Sequence, residues 1–279
     1  MTDRYRVVGL TVLAMLAFAG NSLLCRIALR DTAIDAATFT AIRIASGALM
    51  LAILLKSRGS RPLRGGSWLA ALMLFSYAAF FSFAYRELSA ATGALLLFGA
   101  VQMTMMGFGL FTGERLGAVK IVGLLIALGG LVALLLPGLA APPPVSAAFM
   151  IVAGASWGVY SILGRRLGNP TEATAGNFMR AVPFAAALAL AGMNRSAVDL
   201  HGVFYAVLSG AITSGLGYAL WYAALPSLKS TQAAIIQLSV PALAALGGAL
   251  LLAEPITARL LIASAAVLGG IAITIAAKR

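Results

Sequence analysis

Acidic side chains are scarce in this sequence, and none of them falls where chemistry inside a membrane would need it. The chain holds 8 Asp and Glu against 20 Lys and Arg. Asp3, Asp31, Asp35, Glu87, Glu114, Glu172, Asp199 and Glu254 all sit in termini, in loops or at the edges of apolar runs. An antiporter that trades protons for cationic drugs ordinarily needs a carboxylate near mid-membrane, so that reading loses ground. The single cysteine, Cys25, excludes a disulfide framework and a thiolate metal site. The single histidine, His201, lies in an expected loop beside Asp199, which leaves metal catalysis and Ser/His chemistry without material. No lysine lies deep in an apolar run, so a Ser/Lys dyad is missing too, and an intramembrane enzyme is not expected. No metal and no cofactor are expected.

What the chain has is apolar surface. Of its 279 residues 61% are hydrophobic and 10% charged, with a mean hydropathy of +0.99. A soluble domain of this length cannot hide so much, so its solvent is lipid. The net charge of +12 is spread through the gaps between apolar runs rather than gathered on one face. It reads as a topology signal and not as a nucleic-acid patch. Runs able to cross about 30 Å of hydrocarbon fall near 6–25, 36–55, 68–85, 89–111, 118–136, 145–164, 173–192, 202–223, 230–252 and 257–276. Between them stand turn signals such as Gly59-Ser60-Arg61-Pro62, Pro137-Gly138, Pro142-Pro143-Pro144 and Gly168-Asn169-Pro170. The expected fold is all-α and polytopic, with ten transmembrane helices. Arg4 and Arg6 ahead of an apolar stretch ending Ala17-Phe18-Ala19 resemble a signal peptide. Cleavage there would remove the first helix of a repeat, so the stretch is read as an uncleaved span.

With the N-terminus inside, thirteen loop or terminal Lys and Arg are cytoplasmic and only Arg26, Arg30, Arg86, Arg195 and Arg259 remain outside. Both termini are therefore expected in the cytoplasm of a cell whose inner membrane holds the chain. The chain also repeats itself. A shift of 140 residues lays Glu114 on Glu254, Gly129-Gly130 on Gly269-Gly270 and Gly107 on Gly247. Ser22, Leu24 and Arg26 meet Ser161, Leu163 and Arg165 at a shift of 139, and Asp35 and Arg43 meet Glu172 and Arg180 at 137. The two repeats are expected over 1–140 and 145–279. Five spans is an odd number, so the second half enters the membrane inverted, an arrangement suited to alternating access around a central site.

These residues carry a resemblance. Gly113-Glu114-Arg115 through Gly129-Gly130, Glu254-Pro255 through Gly269-Gly270 and the Arg43/Arg180 pair resemble the drug/metabolite transporter superfamily, in its EamA-type ten-helix branch, over nearly the whole chain. Phe18-Ala19-Gly20-Asn21-Ser22 looks like the YddG type of bacterial amino-acid exporter. The resemblance implies a ten-helix basket in the inner membrane, export of aromatic and other amino acids, and a central cavity open to each side in turn.

The residues that could line such a cavity are polar or aromatic side chains at helical spacing well inside spans. Phe18, Asn21 and Ser22 share one face of the first span, extended by Cys25, and Trp157, Tyr160 and Ser161 share one face of the sixth. An unpaired amide near mid-depth costs several kcal/mol in lipid, on the order of a lost buried hydrogen bond or more, so Asn21 should face protein or water. Tyr77 and Phe81 in the third span, Gln102 with Met103, Met105 and Met106 in the fourth, and Tyr218, Trp221 and Tyr222 in the eighth offer stacking faces and polar tips. Gln237 and Pro241 mark an expected kink in the ninth. Arg43 and Arg180 lie about 10 Å deep by helical rise. They either snorkel to the headgroups, the leading reading, or pair with helix-end carbonyls or a substrate carboxylate at two gates. The six glycines of the repeat matches are expected to let helices approach closely. The expected function is export of aromatic and other neutral amino acids by a monomer with only lipid and small-molecule partners. The alternative is another metabolite, or a quaternary amine or drug-like compound.

Overall fold

A computed structural model describes residues 2–57, 59, 65–113, 117–138, 141–164, 169–192, 197–228 and 230–277. Glu114 and Arg115 of the first repeat motif lie outside the described residues, as do Arg58, Arg61, Arg64, Arg165, Arg166, Arg195, Lys229, Lys278 and Arg279 of the charge count.

The helices are α1 (Thr2–Asp31), α2 (Ala36–Ser57), α3 (Trp68–Tyr85), α4 (Ala90–Phe111), α5 (Ala118–Leu135), α6 (Pro144–Gly164), α7 (Pro170–Ala191), α8 (Leu200–Val207), α9 (Gly217–Ala224), α10 (Ser230–Gln237), α11 (Ser239–Leu252) and α12 (Ala258–Ala276). A π-helical segment, Leu208–Leu216, joins α8 to α9 in one continuous pass. Eight helical stretches are long and apolar enough to cross a membrane. The ninth pass is α7, whose Glu172, Asn177 and Arg180 lower its hydropathy. It packs between α2 and α3, and a span enclosed by other helices need not be apolar all round. The tenth is the broken pair α10–α11. Pro241 has no N–H to give the carbonyl of Gln237, and the break falls between those residues, at Leu238. The helix starts are written locally: Ser67, Ser89, Asn169, Asp199 and Thr257 each accept a backbone N–H two or three residues on. His201, expected in a loop, sits in the first turn of α8, capped by Asp199.

Two inverted five-helix repeats are visible in which helix packs on which. With α1 to α5 paired in order to α6, α7, α8–α9, α10–α11 and α12, the contacts α2–α7, α5–α12 and α4–α11 join equivalent helices across the axis. The contact α3–α6 mirrors α1 with α8–α9, and α4–α6 mirrors α1–α11. The glycines of the repeat divide. Any Cβ on Gly130 would press on Ala266, Val267 and the Ala263 carbonyl, and one on Gly270 would strike Gly123 and Ala127. Gly247 similarly meets Leu23. Gly107, Gly129 and Gly269 have nothing within 4 Å, so for those three the expected close approach is corrected: they face outward, and Gly123 is the glycine that pairs with Gly270.

Candidate substrate cavity

Between the repeats lies a cavity of about 700 Å³, a size that encloses a metabolite. Phe18, Asn21 and Ser22 of α1 line it, with Tyr77 and Phe81 of α3, Gln102 and Met105 of α4, Trp157, Tyr160 and Ser161 of α6, Tyr218, Trp221 and Tyr222 of α9, and Gln237 at the break after α10. Cys25, Met103 and Met106, also put forward from the sequence, are not among the lining residues. Cys25 is fully buried in the core. Met103 packs against the core from outside the cavity.

The aromatic wall is continuous. Trp157 stacks on Tyr218 with centroids 5.2 Å apart at 29°, and lies 4.8 Å from Tyr77 and 5.2 Å from Tyr160. Phe18 tilts against Tyr218 and Trp221 at 5.7 and 6.2 Å. Phe80 and Phe83, also on α3, turn away and meet Phe149 of α6.

Two polar groups interrupt this wall. In the first, Asn21 Nδ2 donates to the Tyr77 hydroxyl at 3.2 Å, and Asn21 Oδ1 accepts from Ser209 Oγ at 2.7 Å and Thr213 Oγ1 at 3.2 Å. Arg43 Nη2 donates to the same Tyr77 hydroxyl at 2.9 Å. In the second, Asn177 Nδ2 donates to the Tyr160 hydroxyl at 3.4 Å, which in turn reaches Thr174 at 3.5 Å. Asn177 Oδ1 accepts the Ser67 N–H at 2.9 Å. A tyrosine bonded to an asparagine therefore occurs once in each repeat, on α1/α3 and again on α6/α7.

The arginines of the repeat differ. Arg43 does not snorkel: it is 2% exposed, with its guanidinium carbon 5.2 Å from the Tyr77 ring centroid and 4.8 Å from that of Phe81. The reason is its rotational position on α2, which faces α3 and the π-helical segment rather than lipid. Arg180 donates to the carbonyls of Gly65 at 2.8 Å and Gly176 at 3.0 Å.

Ser209, Thr213 and Thr174 were not legible from the sequence, whereas Asn177, an amide inside the seventh run, carried the signal that marked Asn21 and was not put forward. Ser209 and Thr213 belong to the π-helical segment, whose wider turn both brings them to Asn21. A Cβ on Gly210 in that segment would overlap the Arg43 carbonyl and Ser46 Oγ, so the glycine is what lets the segment lie against α2.

The cavity is closed at one end. Its wall reaches Gly164, Pro170, Leu225 and Leu228, all at the end of the bundle that holds the N-terminus of α1. At the other end Arg26 Nε meets Glu254 Oε1 at 2.9 Å. Arg26 Nη1 donates to the carbonyls of Tyr85 and Arg86, and Glu254 Oε2 accepts the Ala90 N–H at 2.8 Å. That knot ties α1, α11 and the α3–α4 turn together above the cavity.

Among known proteins, the profile described as EamA-like transporter family matches residues 6–136 and again 145–276. An uncharacterized protein of Pseudomonas aeruginosa is 59% identical over 280 residues, covering 100% of this chain and 97% of the relative. An uncharacterized transporter of Archaeoglobus fulgidus is 29% identical over 170 residues, 60% of each chain. A solved crystal structure superposes with a TM-score of 0.67 over 97% of both chains at 20% identity, a likeness of fold.

Proposed function

The chain belongs to the EamA-like transporter family, and on that premise we propose that it exports aromatic and other neutral amino acids, together with related small metabolites, by alternating access. The observation that carries this reading is the central cavity, in which an aromatic stack of Trp157, Tyr218 and Tyr77 stands beside two amide–tyrosine pairs. Ring faces suit an aromatic or apolar side chain, while amides and hydroxyls suit an ammonium or a carboxylate. Phe18, Asn21 and Ser22, from the stretch whose resemblance to the YddG type of exporter suggests amino acids, line that wall. We read 1–140 and 145–279 as the two rocking units, the chain as a monomer in the bacterial inner membrane, and both termini as cytoplasmic. In that orientation the cavity opens inward, the side from which an exporter loads.

Among the described residues, no Asp or Glu lines the cavity, which favours zwitterions over cationic drugs and a route driven by the substrate's own gradient. Counterflow of radiolabelled phenylalanine, methionine, threonine and glutamate into proteoliposomes of the purified chain tests the reading. Saturable exchange of the neutral amino acids, lost on Asn21→Ala with Trp157→Ala, is the expected result. Uptake no faster than into empty liposomes sinks it and brings other metabolites forward.

A further inference from the structure

Among the described residues, Arg43 is a fully buried arginine whose surroundings leave its charge unanswered. Its guanidinium stays protonated in any protein environment, and a buried charge without a partner is strongly unfavourable. Yet what it meets is neutral: the Tyr77 hydroxyl and the faces of Tyr77 and Phe81. Its Nη1 is buried and reaches no hydrogen-bond acceptor among the described residues. Among the described residues, no Asp or Glu lines the cavity whose wall Tyr77 and Phe81 form. Arg180, its repeat partner, shows the alternative, with Nη1 satisfied by two backbone carbonyls. The duplication has left one arginine tied down and the other waiting at the closed end of the cavity.

The Tyr77 hydroxyl stands between this charge and the cavity. It accepts from Arg43 Nη2 and from Asn21 Nδ2, which occupies both of its lone pairs and leaves its own proton to be donated. Asn21 is itself held by Ser209 and Thr213. A hydroxyl polarised by a guanidinium is a strong donor to an anion and a poor acceptor from an ammonium.

We infer that Arg43 is the counter-ion for a substrate carboxylate, which is received at the Tyr77 hydroxyl on the cavity wall. This deepens the amino-acid reading and rests on it for the identity of the substrate, but it fixes a narrower property: the carboxylate is the group recognised, and no acid among the described lining residues matches the ammonium. Amines that lack the carboxylate are therefore excluded, because they bring a second positive charge to a site that already holds one. Because Arg43 is buried in protein, that repulsion is screened less than between exposed charges.

The test compares ligands that differ by one charged group. Thermal melting of the purified full chain is followed with phenylalanine, phenylalaninamide, phenethylamine and 3-phenylpropionate, beside counterflow of labelled phenylalanine competed by the same compounds. Phenylalanine and 3-phenylpropionate are expected to stabilise and to compete, with phenylalaninamide and phenethylamine weaker by about tenfold or more, as for loss of a charge-assisted hydrogen bond. Arg43→Gln is expected to narrow that gap to about threefold or less, and Arg43→Lys to keep part of it. The unmodified chain carries the decisive comparison, so a variant that fails to fold does not blunt it. Phenylalaninamide or phenethylamine binding as well as phenylalanine overturns the inference while leaving amino-acid transport intact. Stabilisation by 3-phenylpropionate with no phenylalanine exchange overturns the amino-acid reading and keeps the inference. Equal indifference to all four compounds overturns both.

Discussion

Arg26 and Glu254 are 228 residues apart in the chain and 2.9 Å apart at the closed end of the cavity. They are largely buried, and each also holds backbone: Arg26 the carbonyls of Tyr85 and Arg86, Glu254 the first N–H of α4. Nothing else described at that end joins three elements through side-chain charge. Removing the carboxylate leaves the guanidinium without its counter-ion, a cost on the order of 1–3 kcal/mol in a partly buried setting, and falls on this conformation alone. Glu254→Ala is therefore expected to shift the population toward opening at that end. In a Cys25→Ser background carrying Gln102→Cys, a membrane-impermeant thiol reagent added from that side should label the cavity several-fold faster with Glu254→Ala than without it. Equal labelling means the pair is not what holds the end shut.

Trp157 touches Tyr77, Tyr160 and Tyr218 at once, the centre of the aromatic wall. Trp157→Phe keeps a ring there and should retain exchange within about threefold. Trp157→Ala removes the ring proposed to stack on the substrate and should lower exchange by about tenfold or more, the scale of one or two aromatic contacts. If both variants behave alike in counterflow at equal protein incorporation, the stack serves packing and not binding.

How these residues could be found in the sequence, and others not, has a physical basis. Asn21, Trp157, Tyr160 and Tyr218 stand out because a polar or amphipathic side chain amid lipid-length apolar runs has few harmless places to go, and spacing of three and four puts such residues on one face. Ser209, Thr213 and Thr174 carry no such signal, since a hydroxyl in a helix can satisfy itself on the carbonyl four residues back, as Thr213 does on Ser209. The π-helical segment is invisible to any 3.6-residue reading because its extra residue per turn only matters through what it faces. Arg43 shows the reverse limit. Its depth was legible, but whether it snorkels depends on the rotation of α2, which only the packing of α3 and the π-helical segment fixes.

Asp35 clasps the turn before α8 as well as its own helix. Its carboxylate accepts the N–H groups of Ala37, Thr38 and Ala197. Partial burial works against the charge, but the Thr38 side chain, together with these backbone hydrogen bonds, outweighs it and holds the carboxyl below the usual aspartate range. A depressed pKa in the folded state contributes stability that is present above the unfolded value, about 3.9, and is lost as pH falls through the folded value. Asp35→Asn should therefore melt lower than the parent at neutral pH, and the difference should shrink as pH is taken below about 4. A pH-independent difference would assign the effect to shape instead of charge.

Gly269 and Gly270 are adjacent and occupy the same repeated motif, yet the packing treats them oppositely. Helix α12 crosses α5 so closely that a Cβ on Gly270 would fall 2.6 Å from the Ala127 amide nitrogen and nearer still to the Gly123 carbonyl, both backbone atoms that cannot rotate aside. The same atom on Gly269 meets nothing within 4 Å. A larger residue at 270 must push the two helices apart, and Thr274, which packs on the same stripe and donates to the Gly270 carbonyl at 2.8 Å, moves with them. Forcing extra carbons into such a contact costs about 1–3 kcal/mol, and the polar ties described between α5 and α12 sit near the helix ends, where Thr274 reaches the Lys120 carbonyl and Arg259 donates to the Leu136 carbonyl. Gly270→Leu should thus lower the melting temperature of the detergent-purified chain and its monodisperse yield, whereas Gly269→Leu, which adds apolar surface on the lipid side, should leave both close to the parent. Reversal of that order in paired melts would mean that α12 is rotated by about 100°, one residue's turn, from the position described.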